Sequence, residues 1–216
     1  DISTGTITFE SGGYTQENGS SGSDQNGYII TQTETMTSNI IFVKGGTYNI
    51  TLDGVNIRAI SSNRDTYSAF DLRSSSTVNL TLKGNNTLEA ASSRDNNPGY
   101  RYAALSVPKD NTLTITDQST GTLSAKGGMY IDSRNTTVYG AGIGGSQHYY
   151  WGVDAGTIII NGGVIDAYGN SYAQDIGSGG TVSINGGVVR AGNSRLEGSV
   201  QKNNCLVFLG NAGTVY

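Results

Sequence analysis

One phrase recurs along this chain, and that recurrence constrains the fold more than any other feature. Gly156–Ala167 reads GTIIINGGVIDA and returns 24 residues later, at Gly180–Ala191, as GTVSINGGVVRA. Looser copies precede it at Gly46–Ala59 (GTYNITLDGVNIRA), Ser76–Ala90 (STVNLTLKGNNTLEA) and Asn111–Ala125 (NTLTITDQSTGTLSA), each with an opening Thr and a closing Ala. A last partial copy is read at Gly213–Tyr216. A chain that reuses one phrase at a fixed phase stacks it, because a single repeat cannot bury its own apolar face.

Within each copy apolar residues alternate, as in Val78, Leu80 and Leu82 or Leu113 and Ile115, the pattern of a strand with one face buried. A Gly or Asn-Gly step follows, then a second short strand such as Val55–Ile57 or Val164–Ile165. A third strand lies upstream, at Ile40–Phe42, Phe70–Leu72, Leu105–Val107, Ile143 and Ile176. Three short strands in about 24 residues predict an all-β parallel β-helix, a solenoid of about six to eight coils. A β-sandwich is the alternative architecture, but sandwiches do not reuse one phrase at one phase.

The opening threonines, Thr47, Thr77, Thr112, Thr157, Thr181 and Thr214, are separated by 30, 35, 45, 24 and 33 residues. The excess over 24 measures insertions. Most fall between the closing Ala and the next third strand, in 60–68, 91–101 and 126–139, so stacking lines these loops along one edge. A separate insertion, 146–155, leaves at another corner. Residues 1–38, Gly-rich and polar with one weak strand at Thr6–Phe9, read as an N-terminal coil or cap that blocks edge pairing. Residues 39–216 read as the β-helix, continuing into or cut from a larger protein, because the last copy stops inside its opening strand.

Composition then removes several functions. Charged residues are 14% of the chain, against a typical ~25%. The net charge is −4 with no run of either sign, so nucleic acid finds no electrostatic footprint. No stretch is long and apolar enough to insert in a membrane as a helix. The single Cys205 permits no internal disulfide, and its apolar neighbours Leu206–Leu209 mark it as a small core residue. Gly, Ser, Thr, Asn and Tyr enrichment suits a secreted or cell-surface protein. No signal peptide precedes Asp1, which suits a mature or trimmed chain.

Function concentrates in loops on a rigid scaffold. The first insertion carries Arg64, Asp65 and Tyr67; the second Arg94, Asp95, Tyr100 and Tyr102; the third Tyr130, Asp132 and Arg134. Stacked in this register, the arginines form a row beside the acids, with tyrosines nearby. Guanidinium forks read carboxylates and vicinal hydroxyls, and tyrosine offers an apolar face with a polar tip, the mixture that sugars need. The plainer reading is that Arg and Asp only pair across neighbouring coils, which contributes little. The insertion His148, Tyr149, Tyr150, Trp151 holds the only His and the only Trp, either a stacking platform for a sugar or partner protein, or a satellite core.

Catalysis is thinly supported. His148 has no visible triad, and one His with one Cys argues against zinc. The oxygen donors admit calcium, with Asp65, Asp95 and Asp132 as the candidate ligands and Asp154 and Asp175 as further acids, although no EF-hand or nonapeptide array is present. A lyase or glycosidase acting among the Arg, Asp and Tyr loops stays open, with no residue singled out as its base. Gly140–Gly145 (GAGIGG) resembles a dinucleotide loop only superficially, since it falls at the third-strand phase without a strand-turn-helix unit. Thr-x-Thr steps hint at an ice-binding face, which Asn79, Ile159 and Ser183 interrupt.

At Tyr48–Ile57 (YNITLDGVNI), Val78–Leu88 (VNLTLKGNNTL), Tyr102–Asp117 (YAALSVPKDNTLTITD), Gly140–Gly145 and Ile160–Gly163 (INGG), the chain resembles a family of secreted bacterial right-handed β-helix proteins. Some members are described as carbohydrate-binding domains and look like catalytically reduced relatives of polysaccharide lyases. The resemblance covers about residues 39–191. It implies a right-handed solenoid outside the cell and acidic-polysaccharide binding, with calcium in some relatives. The long Tyr-rich loops and the His148–Trp151 insertion depart from it. The expectation is therefore a non-enzymatic adhesion module that binds a polysaccharide or host-surface glycan, joined to other domains of a larger surface protein. A structural stalk segment is the second reading and a polysaccharide lyase or glycosidase the third.

Overall fold

The computed structural model describes residues 1–60, 68–92, 102–131, 137–145, 154–169, 173–192, 196–202, 206–209 and 214–215. Among them there is no α-helix, and the chain is all-β. A short 3-10 turn at Ile2–Thr4 leads into β1 (Ile7–Glu10), β2 (Gly13–Gln16), β3 (Ser21–Gly22) and β4 (Tyr28–Thr31). Then come β5 (Ile41–Asp53), β6 (Asn56–Arg58), β7 (Phe70–Lys83) and β8 (Asn85–Glu89), followed by β9 (Leu105–Ser106), β10 (Thr112–Ile115) and β11 (Thr122–Lys126). The remainder is β12 (Met129–Ile131), β13 (Thr137–Tyr139), β14 (Ile143–Gly144), β15 (Thr157–Ile160), β16 (Val164–Tyr168), β17 (Ile176–Ile184), β18 (Val188–Ala191), β19 (Leu196–Lys202), β20 (Leu206–Leu209) and β21 (Thr214–Val215).

Pairing is predominantly parallel, unlike the antiparallel ladders of a sandwich. The opening threonines Thr47, Thr77, Thr112, Thr157 and Thr181 stand opposite one another through β5, β7, β10, β15 and β17. Ser199 of β19 takes the sixth position, whereas Thr214 opens no further parallel copy: β21 turns back antiparallel onto β20. The third strands align as Ile41, Phe70, Leu105, Ile143, Ile176 and Leu196. The second short strands β6, β8, β11, β16, β18 and β20 form their own parallel sheet.

The period-two pattern explains which side chains this arrangement buries. Ile50, Leu80, Ile115, Ile160 and Ile184 form one inward column, each 0% or 1% exposed. Each such side chain contributes about 1.5–3 kcal/mol by leaving water. Most outward alternates are polar, Ile159 being an exception, and several bond laterally: Asn79 Nδ2 donates to Asn49 Oδ1 at 2.9 Å, and Asn185 Nδ2 to Asn161 Oδ1 at 2.9 Å. On the second sheet Glu89 lies between Arg58 at 3.1 Å and Lys126 at 3.4 Å, so one carboxylate ties three repeats. Gly54 and Gly84 turn the chain between the first and second strands at φ of 71° and 58°, where a side chain is strained.

The segment 1–38 contains more structure than its one weak strand predicts. β1 adds parallel to β5 through Ile7 and Ile41, and β4 adds parallel to β5 through Tyr28 and Ile50. β2 and β3 then fold antiparallel beyond β1. Phe9, Tyr14, Tyr28 and Tyr48 pack together at this end, with Phe9 and Tyr48 buried and the other two half-buried.

Candidate functional site

The three insertions that carry Arg64, Arg94 and Arg134 leave from one line of the structure and return at another, while the His148–Trp151 insertion follows Gly145 elsewhere. On the exit line Ala59 N–H donates to Glu89 O at 2.9 Å, Ala90 N–H to Lys126 O at 3.0 Å, and Gly127 N–H to Tyr168 O at 2.9 Å. On the return line Ile41 N–H donates to Ala69 O at 3.0 Å, Phe70 N–H to Ala104 O at 3.1 Å, Leu105 N–H to Gly142 O at 3.1 Å and Ile143 N–H to Asp175 O at 3.0 Å. The ends of the loops after Ala59, Ala90, Gly127 and Gly169 are therefore stacked neighbours.

Two of these loops share hydrogen-bonded stems. Met129 N–H donates to Ser92 Oγ at 3.2 Å, Gly128 N–H to Tyr102 O at 3.1 Å, and Gly140 N–H to Gly128 O at 2.8 Å. The GAGIGG run crosses here, and backbone crowding explains its composition: a Cβ on Gly140 would lie 2.0 Å from Tyr102 O, and one on Gly144 1.9 Å from Gly177 O. It is a close-packing segment of the third strand, as its phase indicates, and not a phosphate cradle.

Of the expected site residues, Tyr102 is half-buried at a loop stem, and Tyr130 lies in β12 with its backbone opposite Val138. Arg64, Asp65, Tyr67, Arg94, Asp95, Tyr100, Asp132, Arg134, His148, Tyr149, Tyr150 and Trp151 lie outside the described residues, as does Cys205. Among the described residues no group of three or more His, Cys, Asp or Glu gathers to hold a metal. Asp175 uses Oδ1 to accept the Gly169 N–H at 2.7 Å, which holds the two ends of a short loop together.

A polar cluster that the sequence reading missed lies on the return strands. Phe42, Asp71, Ser106, Gly144 and Gly177 follow one another across them in register. Arg73 Nε pairs with Asp71 Oδ2 at 2.6 Å, and the guanidinium stands 4.4 Å over the Phe42 ring. Asp71 is only 5% exposed, and burial pushes its carboxyl above the usual range although Arg73 and a Ser106 hydrogen bond pull it down. Three positions before Asp71, the buried Ser68 hydroxyl has no hydrogen-bond partner among the described residues. The arrangement presents a half-exposed guanidinium, fixed from below by a carboxylate and an aromatic face. The missed signal was a charge inside an apolar triplet, Phe70-Asp71-Leu72, with Arg two positions on.

Among the described residues, Asp71 has one further acid in its register column, at the backbone position of Glu197. That position stands four strands away, about 19 Å at the usual strand spacing. Glycosidase pairs lie within about 5–9.5 Å.

No protein-family model matches the chain, no curated protein matches it, and no solved structure matches it.

Proposed function

We propose that this chain is a secreted or cell-surface right-handed parallel β-helix module that binds a polysaccharide without cleaving it. The observation that carries the reading is the alignment of the loop ends, which supports a common edge for the insertions bearing Arg64, Arg94 and Arg134. Parallel pairing of the same phrase in the five repeats from Thr47 to Thr181 favours a solenoid over a sandwich. Most parallel crossover connections are right-handed, which gives the hand.

In this reading Tyr67, Tyr100, Tyr102 and Tyr130, with the His148–Trp151 insertion, give ring faces for sugar stacking. The loop arginines and Arg73 take hydroxyls or carboxylates, and Asp65, Asp95 and Asp132 are the donors available to calcium. Other domains of a larger surface protein hold the module in place.

A glycan array probed with the purified chain, with and without calcium, tests this. Selective binding that is lost in both Arg94→Ala and Trp151→Ala, each retaining its β circular dichroism, is the expected result. A blank array under both conditions overturns it in favour of a structural stalk, and release of unsaturated or reducing-end products overturns the non-enzymatic part.

A further inference from the structure

A second site is suggested at the N-terminal end, in a concave pocket of about 290 Å³ that is separate from the loop edge. Its walls include the half-buried Tyr14 and Tyr28, backed by the buried Phe9, its polar lining includes Gln16, Asp1 and Asp24, and its only cationic group is the α-amino group of Asp1. We propose that this pocket binds a small organic cation, an alkylammonium group, held by the aromatic faces and by the Asp24 carboxylate.

Ring geometry carries the argument first. Phe9 and Tyr28 meet at 65° with centroids 5.0 Å apart, and Tyr14 and Tyr28 at 78° with centroids 5.8 Å apart. Rings set edge to face make a corner, with their electron-rich faces turned in different directions. A corner of π faces attracts a cation from several sides, whereas a sugar ring needs one broad flat face. A pocket of this size lies at the small end of ligand sites.

The walls are held rigidly before any ligand arrives. Tyr28 Oη accepts the Asp24 N–H at 3.0 Å and donates to Gly12 O at 3.1 Å, and Tyr48 Oη accepts the Gly12 N–H at 3.1 Å. Gly22 lies against Tyr14, where a Cβ would come within 3.1 Å of the ring. Gln16 Nε2 spends its protons inward on Asp1 O, Thr4 Oγ1 and Gly5 O. Fixed rings lower the ordering cost of binding.

Charge selects among small ligands. Asp1 uses both carboxylate oxygens internally, on the Ser3 N–H at 2.9 Å and the Thr33 hydroxyl at 2.7 Å. Asp24 engages the Asn26 N–H through Oδ1 at 2.8 Å, and its Oδ2 takes no hydrogen bond from a described residue. The lining residues carry two carboxylates, Asp1 and Asp24, against one cation, the α-ammonium group of Asp1, so a net acid remains beside the aromatic corner and favours a cation over a neutral or anionic ligand.

The test is an NMR titration of the intact chain with choline, beside 3,3-dimethylbutan-1-ol, which has the same shape without the charge. Choline is expected to shift the Tyr14 and Tyr28 ring signals saturably and to bind about tenfold more tightly than the alcohol. Asp24→Asn, which keeps Oδ1 for the Asn26 N–H, is expected to weaken choline severalfold, and Tyr14→Leu to abolish its effect on the Tyr28 ring. Equal binding of choline and the alcohol, no response to choline, unchanged affinity in Asp24→Asn, or ring shifts with a neutral oligosaccharide instead would each overturn the proposal. None of these outcomes depends on the glycan array, so the two readings fail separately.

Discussion

Asp71 shows how much chemistry a single residue adds to an otherwise repetitive strand. Its folded carboxyl holds its proton more tightly than an ordinary aspartate at 3.8, because desolvation outweighs Arg73. Protonation of a group raised in this way contributes stability that is fully present below about pH 3.8 and is lost as pH rises through the folded value. Arg73 is the charge that faces it, with Lys44 opposite Arg73 in register. Asp71→Asn is therefore expected to be at least as stable as the parent at pH 7 and to lose the gain that the parent makes on acidification towards pH 4, read as urea midpoints across that range. A stability deficit of the variant against the parent that is larger at pH 7 than at pH 4 would show that the ion pair outweighs burial. At this scale the sequence was least legible. Alternation placed Phe70 and Leu72 in a strand, but a strand of three residues does not reveal that its middle carboxylate becomes buried.

Elements were legible wherever the alternation was. The opening threonines from Thr47 to Thr181 and the third strands were assigned correctly, because period two and a fixed Thr mark both face and phase, whereas Thr214 falls in an antiparallel strand and Ser199 takes its place. The closing alanines misled. Ala125, Ala167 and Ala191 align with Leu88 and Ile57, while Ala59 and Ala90 lie two residues further along, in line with Gly127 and Gly169. A slip of two leaves every side chain on its own face, so hydrophobic pattern cannot detect it. β2, β3 and β4 were missed because their polar and Gly-rich stretches carry little alternation. Corners between elements depend on buried amides instead. Asn86, 1% exposed, accepts the Val55 N–H at 3.1 Å and donates to Lys83 O at 2.9 Å and Thr122 O at 3.0 Å, joining three repeats. Asn86→Ala leaves these groups without their partner, at about 1–3 kcal/mol for each one that stays unsatisfied. A loss of at least about 2 kcal/mol in a denaturant titration is expected, and a loss well below that would mean that water replaces the amide.

The whole molecule follows from one accounting of backbone groups. Each parallel strand satisfies its N–H and C=O groups only through the repeats on either side, so the interior strands β7, β10 and β15 are bonded on both edges. Towards the other end, β19 pairs with β17 among the described residues. In a stack whose repeats touch only their neighbours, opening starts at the ends and proceeds inwards, because removing a terminal repeat breaks one interface and removing a central one breaks two. Native-state hydrogen exchange should therefore show a gradient, with β7, β10 and β15 the slowest and β19 markedly faster. The inward column bears on the same point, since Leu80 packs between Ile50 and Ile115, and Leu80→Ala, at about 2–5 kcal/mol, should lower protection in β5 and β10 more than in β19. Uniform protection across all the strands, falling together in Leu80→Ala, would mean one cooperative core shared by the entire chain. That result would remove the solenoid reading, and with it the argument that aligned loop ends produce an extended binding edge.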